Sequence, residues 1–344
     1  MSWLILNTLL ACAENPADLS DYWYFRTDGV DLPVRVEGNL ESGVILLMLH
    51  GGPGGSAVDY NYGYDTDLLE DAFAVAYFDQ RTQGGTHGNY GTEMLTIQQV
   101  ATDTANLVDA LRDRYGQDNQ VWLYGHSWGG MLGTATLLDT DADVDGWIEA
   151  AGSHDYPLND VYTARKFITK AADVALQSTI TEEDAQFWDE VGGFAGGLDL
   201  ENISESDSLQ LNQYAFTAEE HVELASSDEF GSGLLRYMLL NPTVKSTSWW
   251  SGLWGGNALN DDAFTTSYTP RLGEIAVPSL FIYGDLDFVC PKELGEDAFN
   301  AVDAQGISTD FVVLEASGHS LMVNQPEAFA EEIITFVDTW GVPR

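Results

Sequence analysis

Short apolar runs broken by polar, glycine-rich turns recur along this chain, and the longer segments between them carry apolar residues every three or four positions. Residues 44–49 (VILLML), 121–124 (VWLY), 145–151 (DGWIEAA), 278–284 (PSLFIYG) and 311–315 (FVVLE) read as strands covered on both faces, because they are nearly continuous apolar runs. Ile97, Val100, Ala101, Thr104, Leu107, Val108 and Leu111 fall at i, i+3, i+4, i+7 spacing, which predicts an amphipathic helix ending near Gly116. Residues 131–138 read as another helix. Strand and helix in alternation predict an α/β fold with a mostly parallel sheet flanked by helices. The rhythm breaks between 151 and 277. Residues 154–272 show helical spacing at Ala164, Phe167, Ile168, Ala171 and Val174 and no convincing strand run, so a mostly helical cap is expected there. The core would then occupy 21–153 and 273–344, and the acidic, serine-rich stretch 199–208 would be a cap loop.

Chemistry enters at Gly125-His126-Ser127-Trp128-Gly129, which sits between a strand-like run and a helix-like run. That context is the sharp turn that lifts a serine hydroxyl above a sheet, with glycines two before and two after because Cβ atoms would collide there. Ser127 is the candidate nucleophile. A serine hydroxyl attacks well only when a base takes its proton, and the partners should follow in the order carboxylate, then histidine, after later strands. Asp287, three residues beyond Gly284, and His319, just after the 311–315 run, meet that order, with Asp285 as the competing carboxylate. None of His50, His87, His126, His154 and His221 follows the late strand, so each reads as structural or exposed. The glycine-rich loop at 50–55 follows an early strand and suits an oxyanion hole, with backbone N–H groups of Gly52 and Trp128 as donors and Gly51 as the substitute for Gly52. That loop has neither the lysine nor the spacing of a phosphate-binding Walker motif.

Taken together, H-G-G-P-G-G at 50–55, D-Q-R at 79–81, G-H-S-W-G-G at 125–130, G-x-x-D-x-x-C-P at 284–291 and G-H-S at 318–320 resemble proline iminopeptidases, serine aminopeptidases of the α/β-hydrolase superfamily. The resemblance spans roughly residues 30 to 340 and departs at Thr82-Gln83-Gly84-Gly85, where the family usually runs G-x-G-x-S after D-Q-R. It implies an acyl-enzyme mechanism, no cofactor, and a small-molecule or short-peptide substrate. It also implies carboxylates in the cap that hold the substrate's N-terminal amine. Asp189, after Trp188, and Glu219, two before His221, match that arrangement, although in so acidic a chain both also read as solvated surface. Trp249 and Trp250, with Trp254, read either as walls of a small apolar pocket or as packing between lid and core. An esterase or lactonase with the same triad is the alternative activity. A binding protein that has lost turnover is the alternative of another class.

Charge narrows the partners further. With 55 acidic against 13 basic residues the net charge is −42, which repels nucleic acid and anionic membranes and suggests adaptation to salty surroundings. Residues 1–20 begin with a short apolar run, and Leu9-Leu10-Ala11-Cys12 resembles a bacterial lipobox that would lipidate Cys12. This predicts a protein exported to the cell envelope and touching membrane only through that anchor; the alternative is a cytoplasmic protein with an apolar arm. Cys12 and Cys290 are the only cysteines in the sequence, too few for a disulfide framework or a metal cluster.

Overall fold

The computed structural model describes residues 18–177, 179–226, 231 and 257–341; Cys12, Trp249, Trp250 and Trp254 lie outside the described residues. Strands β1 (Asp18–Thr27) and β2 (Val30–Asn39) form an antiparallel hairpin. They turn at Asp28-Gly29, whose φ values of 36° and 79° belong to the left-handed region that two-residue hairpins use. The remaining strands are β3 (Val44–Leu49), β4 (Ala74–Phe78), β5 (His87–Gly88), β6 (Gln120–His126), β7 (Gly146–Ala150), β8 (Ser279–Gly284) and β9 (Thr309–Leu314). The sheet runs β1-β2-β4-β3-β6-β7-β8-β9, with β5 paired to β2. β2 pairs antiparallel with β4, and every neighbouring pair from β4 to β9 is parallel.

Alternate strand residues feed two separate cores, which explains why the central strands are apolar without a break. Ile45, Leu47, Val121, Leu123, Trp147 and Phe281 point to one face. There they meet α2 (Ile97–Tyr115), α3 (Trp128–Asp139) and α8 (Glu293–Asp303). Leu46, Met48, Trp122, Tyr124, Ile148 and Leu280 point to the other. They meet α1 (Tyr64–Ala72), α9 (Leu321–Asn324) and α10 (Pro326–Trp340), through Leu69, Leu321, Phe329, Ile333 and Phe336. Each such fully buried side chain contributes about 1.5–3 kcal/mol.

Between β7 and β8 the chain forms α4 (Tyr156–Ala175), α5 (Glu182–Gly196), α6 (Glu205–Ala218) and α7 (Asn257–Phe264). Their starts are capped by side chains: Asp155, Thr181 and Ser204 accept the N–H groups of Leu158, Asp184 and Asp207. One expectation is corrected here. The stretch 199–208 is not a loop throughout, because Ser204 caps α6 and Glu205 and Asp207 occupy its first turn, where the helix dipole favours negative charge.

Candidate active site

Ser127 stands where β6 ends and α3 begins, with φ 58° and ψ −122°. A non-glycine residue holds such a conformation only when its surroundings force it. The two flanking glycines show the force: a Cβ on Gly125 would lie 2.3 Å from the Gly129 carbonyl oxygen, and one on Gly129 would lie 2.0 Å from that of Leu49. The sharp turn therefore depends on close backbone packing at both sides.

The loops after β8 and β9 bring the partners. Ser127 Oγ lies 2.9 Å from His319 Nε2, and His319 Nδ1 lies 3.0 Å from Asp287 Oδ2. Asp287 is buried, and its second oxygen accepts the N–H groups of Val289 at 2.8 Å and Cys290 at 2.9 Å. Asp285 instead accepts the N–H of Ser317 at 3.3 Å, tying the two loops together. Burial by itself would depress the His319 imidazole, but the charge and hydrogen bond of Asp287, with Glu219 beyond, raise it above the ordinary histidine value.

The glycine-rich loop closes the site from the other side. Gly52 has φ 129°, and a Cβ there would meet the Gly54 nitrogen at 2.5 Å, so glycine is needed. Gly51 donates its N–H to Tyr60 Oη at 3.0 Å, which commits that donor elsewhere. Gly52 and Trp128 line the cavity with Ser127, and Trp128 is the first residue of α3, where a helix leaves its N–H groups without internal partners. The D-Q-R motif holds this loop in place. Asp79 accepts from Ser56 Oγ and the Ala57 and Gly85 N–H groups. Gln80 accepts from the Trp128 indole at 2.9 Å and donates to the His50 carbonyl. Arg81 forms a two-pronged, fully buried pair with Asp103.

The cavity beside Ser127 measures about 160 Å³. One stripe of α6 faces it, Glu205, Ser208, Leu209, Asn212 and Phe216, at the spacing of a single helix face. The Phe216 ring stands edge-on to His319 at 5.8 Å. Cys290 lines the same space, but burial pushes its thiol well above the usual range, so it is a weak nucleophile at neutral pH.

The two cap carboxylates are not brought into this cavity. Asp189 is exposed and absent from the cavity wall, because its neighbour Trp188 is the residue that α5 buries, against Phe167 and Phe288. Consecutive helical residues point about 100° apart, which turns Asp189 to solvent. Glu219, just past α6, accepts the His319 backbone N–H, and burial raises its carboxyl. Trp249 and Trp250 lie outside the described residues.

Two features of the site have no counterpart in the motif reading. His126 Nε2 lies 2.9 Å from the His319 carbonyl, so that nitrogen carries the proton, and Nδ1 accepts from Tyr60 Oη at 2.7 Å. Gly51, Tyr60, His126 and His319 thus form one hydrogen-bonded line from the glycine loop to the histidine loop. Burial, with the adjacent His319 adding to it, holds His126 down to about 3, so it stays neutral. The adjacency of His126 to Ser127 was the visible signal. The second is Asp160, a buried carboxylate in the cavity wall.

The chain is similar to a probable aminopeptidase, YbaC, of Bacillus subtilis (strain 168), at 24% identity over 84% of this chain and 87% of that one. It is similar to a proline iminopeptidase of Thermoplasma volcanium at 22% identity, over 85% and 88% of the two chains. Among solved structures, a proline iminopeptidase from Mycobacterium smegmatis superposes with a TM-score of 0.63 at 17% identity, covering 93% of this chain and 98% of that one. Residues 46–332 match the alpha/beta hydrolase family, and the chain belongs to that family.

Proposed function

We propose that this protein is a serine hydrolase working through an acyl-enzyme, and that it is an aminopeptidase releasing N-terminal proline or a similarly small residue. The observation that carries the proposal is the unbroken line from Ser127 through His319 to Asp287, opening on a small cavity. In this mechanism Ser127 Oγ attacks the substrate carbonyl carbon while His319 Nε2 takes the hydroxyl proton. Asp287 holds the imidazole in the productive tautomer and stabilises it when charged. The oxygen that becomes negative meets the N–H groups of Gly52 and Trp128. The C–N bond breaks as His319 hands its proton to the leaving amine. Water then attacks the acyl-enzyme, His319 takes its proton, and Ser127 Oγ leaves reprotonated. The similar aminopeptidase and proline iminopeptidase support an amide substrate.

Hydrolysis of prolyl-p-nitroanilide is the test, run beside a short-chain p-nitrophenyl ester with Ser127→Ala as the blank. Anilide cleavage that disappears in Ser127→Ala is expected. Cleavage of the ester alone would replace the aminopeptidase with an esterase or lactonase, a reading that the apolar wall of Leu209, Phe216, Phe264 and Val289 also accommodates. No Ser127-dependent turnover of either substrate would favour a binding protein.

A further inference from the structure

Asp160 lies on the first half of α4 and is 6% exposed, yet it forms part of the cavity wall next to Ser127. Ser208 on α6 stands beside its carboxylate, while Oδ2 is buried without a partner among the described residues. Two more buried oxygens in the same wall share that condition, Asn159 Oδ1 and Ser153 Oγ. Asn159 has its amide nitrogen committed to the Val289 carbonyl at 3.0 Å, which fixes its oxygen as the free end. Glu205 lines the same cavity, and none of the described lining residues is Lys, Arg or His. A buried carboxylate oxygen without a donor is costly, as is any buried polar atom left unpaired. Such an arrangement is worth keeping where a ligand supplies the missing donors.

We propose that Asp160, flanked by Asn159 and Ser153, is the specificity-determining anchor for the protonated amine of the substrate. A protonated secondary amine carries two N–H donors and a full positive charge, and it meets here a carboxylate and two neutral acceptors in a wall whose described residues carry no cation. Burial pushes the Asp160 carboxyl up to about 6, so at neutral pH the group is ionised, with no compensating charge in the described part of the cavity wall. The inference rests on the aminopeptidase reading, and it places the amine contact on α4, the first helix of the cap, in place of Asp189 and Glu219.

The test measures binding and does not depend on turnover. Labelling of Ser127 by a fluorophosphonate probe at pH 7.5 is competed by L-prolinamide, which is cationic, and by cyclopentanecarboxamide, its neutral analogue of similar shape. Each protection constant is taken relative to the same enzyme's unprotected labelling rate. Wild-type protein should prefer the cation by about tenfold or more, the scale of a charged hydrogen bond, and Asp160→Asn should bring the two ligands within about twofold. Asp160→Ser serves the same purpose if the asparagine variant does not fold. Equal protection by both ligands in wild-type protein, or a preference that survives removal of the charge, overturns the proposal. Failure of the aminopeptidase reading shows separately, as absent prolyl-p-nitroanilide cleavage whatever the protection constants are.

Discussion

His319 is held between opposing influences, and their balance sets a measurable pH dependence. Burial favours the neutral ring, but Asp287 and Glu219 favour the charged one more strongly, so its pKa is raised. Only the neutral ring can accept the Ser127 proton. In a pH–rate profile, kcat/KM should therefore rise with pH along a limb lying above the ordinary histidine value of about 6.5. The sign for stability is opposite. A raised folded pKa contributes stability that is fully present below the unfolded value and is lost as pH rises through the folded one, so across this window activity grows as that contribution fades. Asp287→Asn should lower kcat by about 10⁴-fold, since the ring loses both its charge partner and its correct tautomer, and should move the limb to lower pH. An unmoved limb would mean that Asp287 does not govern His319. Ser127, Asp287 and His319 were legible because each follows a strand end in a fixed order along the chain. Asp160 was not, because what marks it is a place in the cavity wall beside Ser127 with an oxygen that finds no donor among the described residues, and only tertiary packing creates that combination.

Among the elements, α4 connects the cap to the catalytic loops. Lys166 reaches from α4 to the carbonyl oxygens of Asp285 at 2.8 Å and Asp287 at 2.7 Å, with its ammonium 4.9 Å from the centre of the Phe288 ring. Trp188 on α5 packs against the same Phe288 at 5.4 Å. The segment carrying Asp287 is thus clamped by one cation and by the rings of Trp188 and Phe167, both of which pack on Phe288. Lys166→Met keeps much of the side-chain volume while deleting both bonds. It should cost about 1.5–3 kcal/mol in denaturant unfolding and reduce kcat with the loop geometry. Unchanged stability and kcat would show the clamp to be unnecessary. Strands buried on both faces were legible as apolar runs, and α2 was legible as a helix ending at Gly116. The β1–β2 hairpin was harder to read. It stands at the sheet edge, where aromatic Tyr22 and Tyr24 are exposed, so its apolar pattern does not mark one buried face. The start of α6 was hidden for another reason: its acidic, serine-rich first turn has the composition of a loop, and only the Ser204 cap gives that composition a helical use.

Across the whole molecule the dominant physical quantity is the net charge of −42, with 55 acidic and 13 basic residues. Several of the basic groups are already spent on specific partners: Arg81 on Asp103, Arg112 on Asp145, Arg114 on Asp21 and Arg271 on Asp139. They hold elements together locally and leave the acidic excess to repel itself across the surface. That repulsion is strongest in the compact state, since unfolding moves the charges apart. Added salt shortens its range, from about 30 Å at 0.01 M to about 3 Å at 1 M. We therefore propose adaptation to a salty medium, and expect the melting temperature to climb as NaCl rises from about 0.01 M into the molar range. The shape of the curve identifies the cause. Screening acts mostly while the Debye length still exceeds the spacing between neighbouring surface carboxylates, so most of the gain should come below about 0.5 M. Sodium sulfate, which strengthens apolar burial as well, should keep adding stability beyond that point. A melting temperature that stays flat or falls as NaCl increases would remove charge repulsion as the limit on stability, and the salt-adaptation proposal with it.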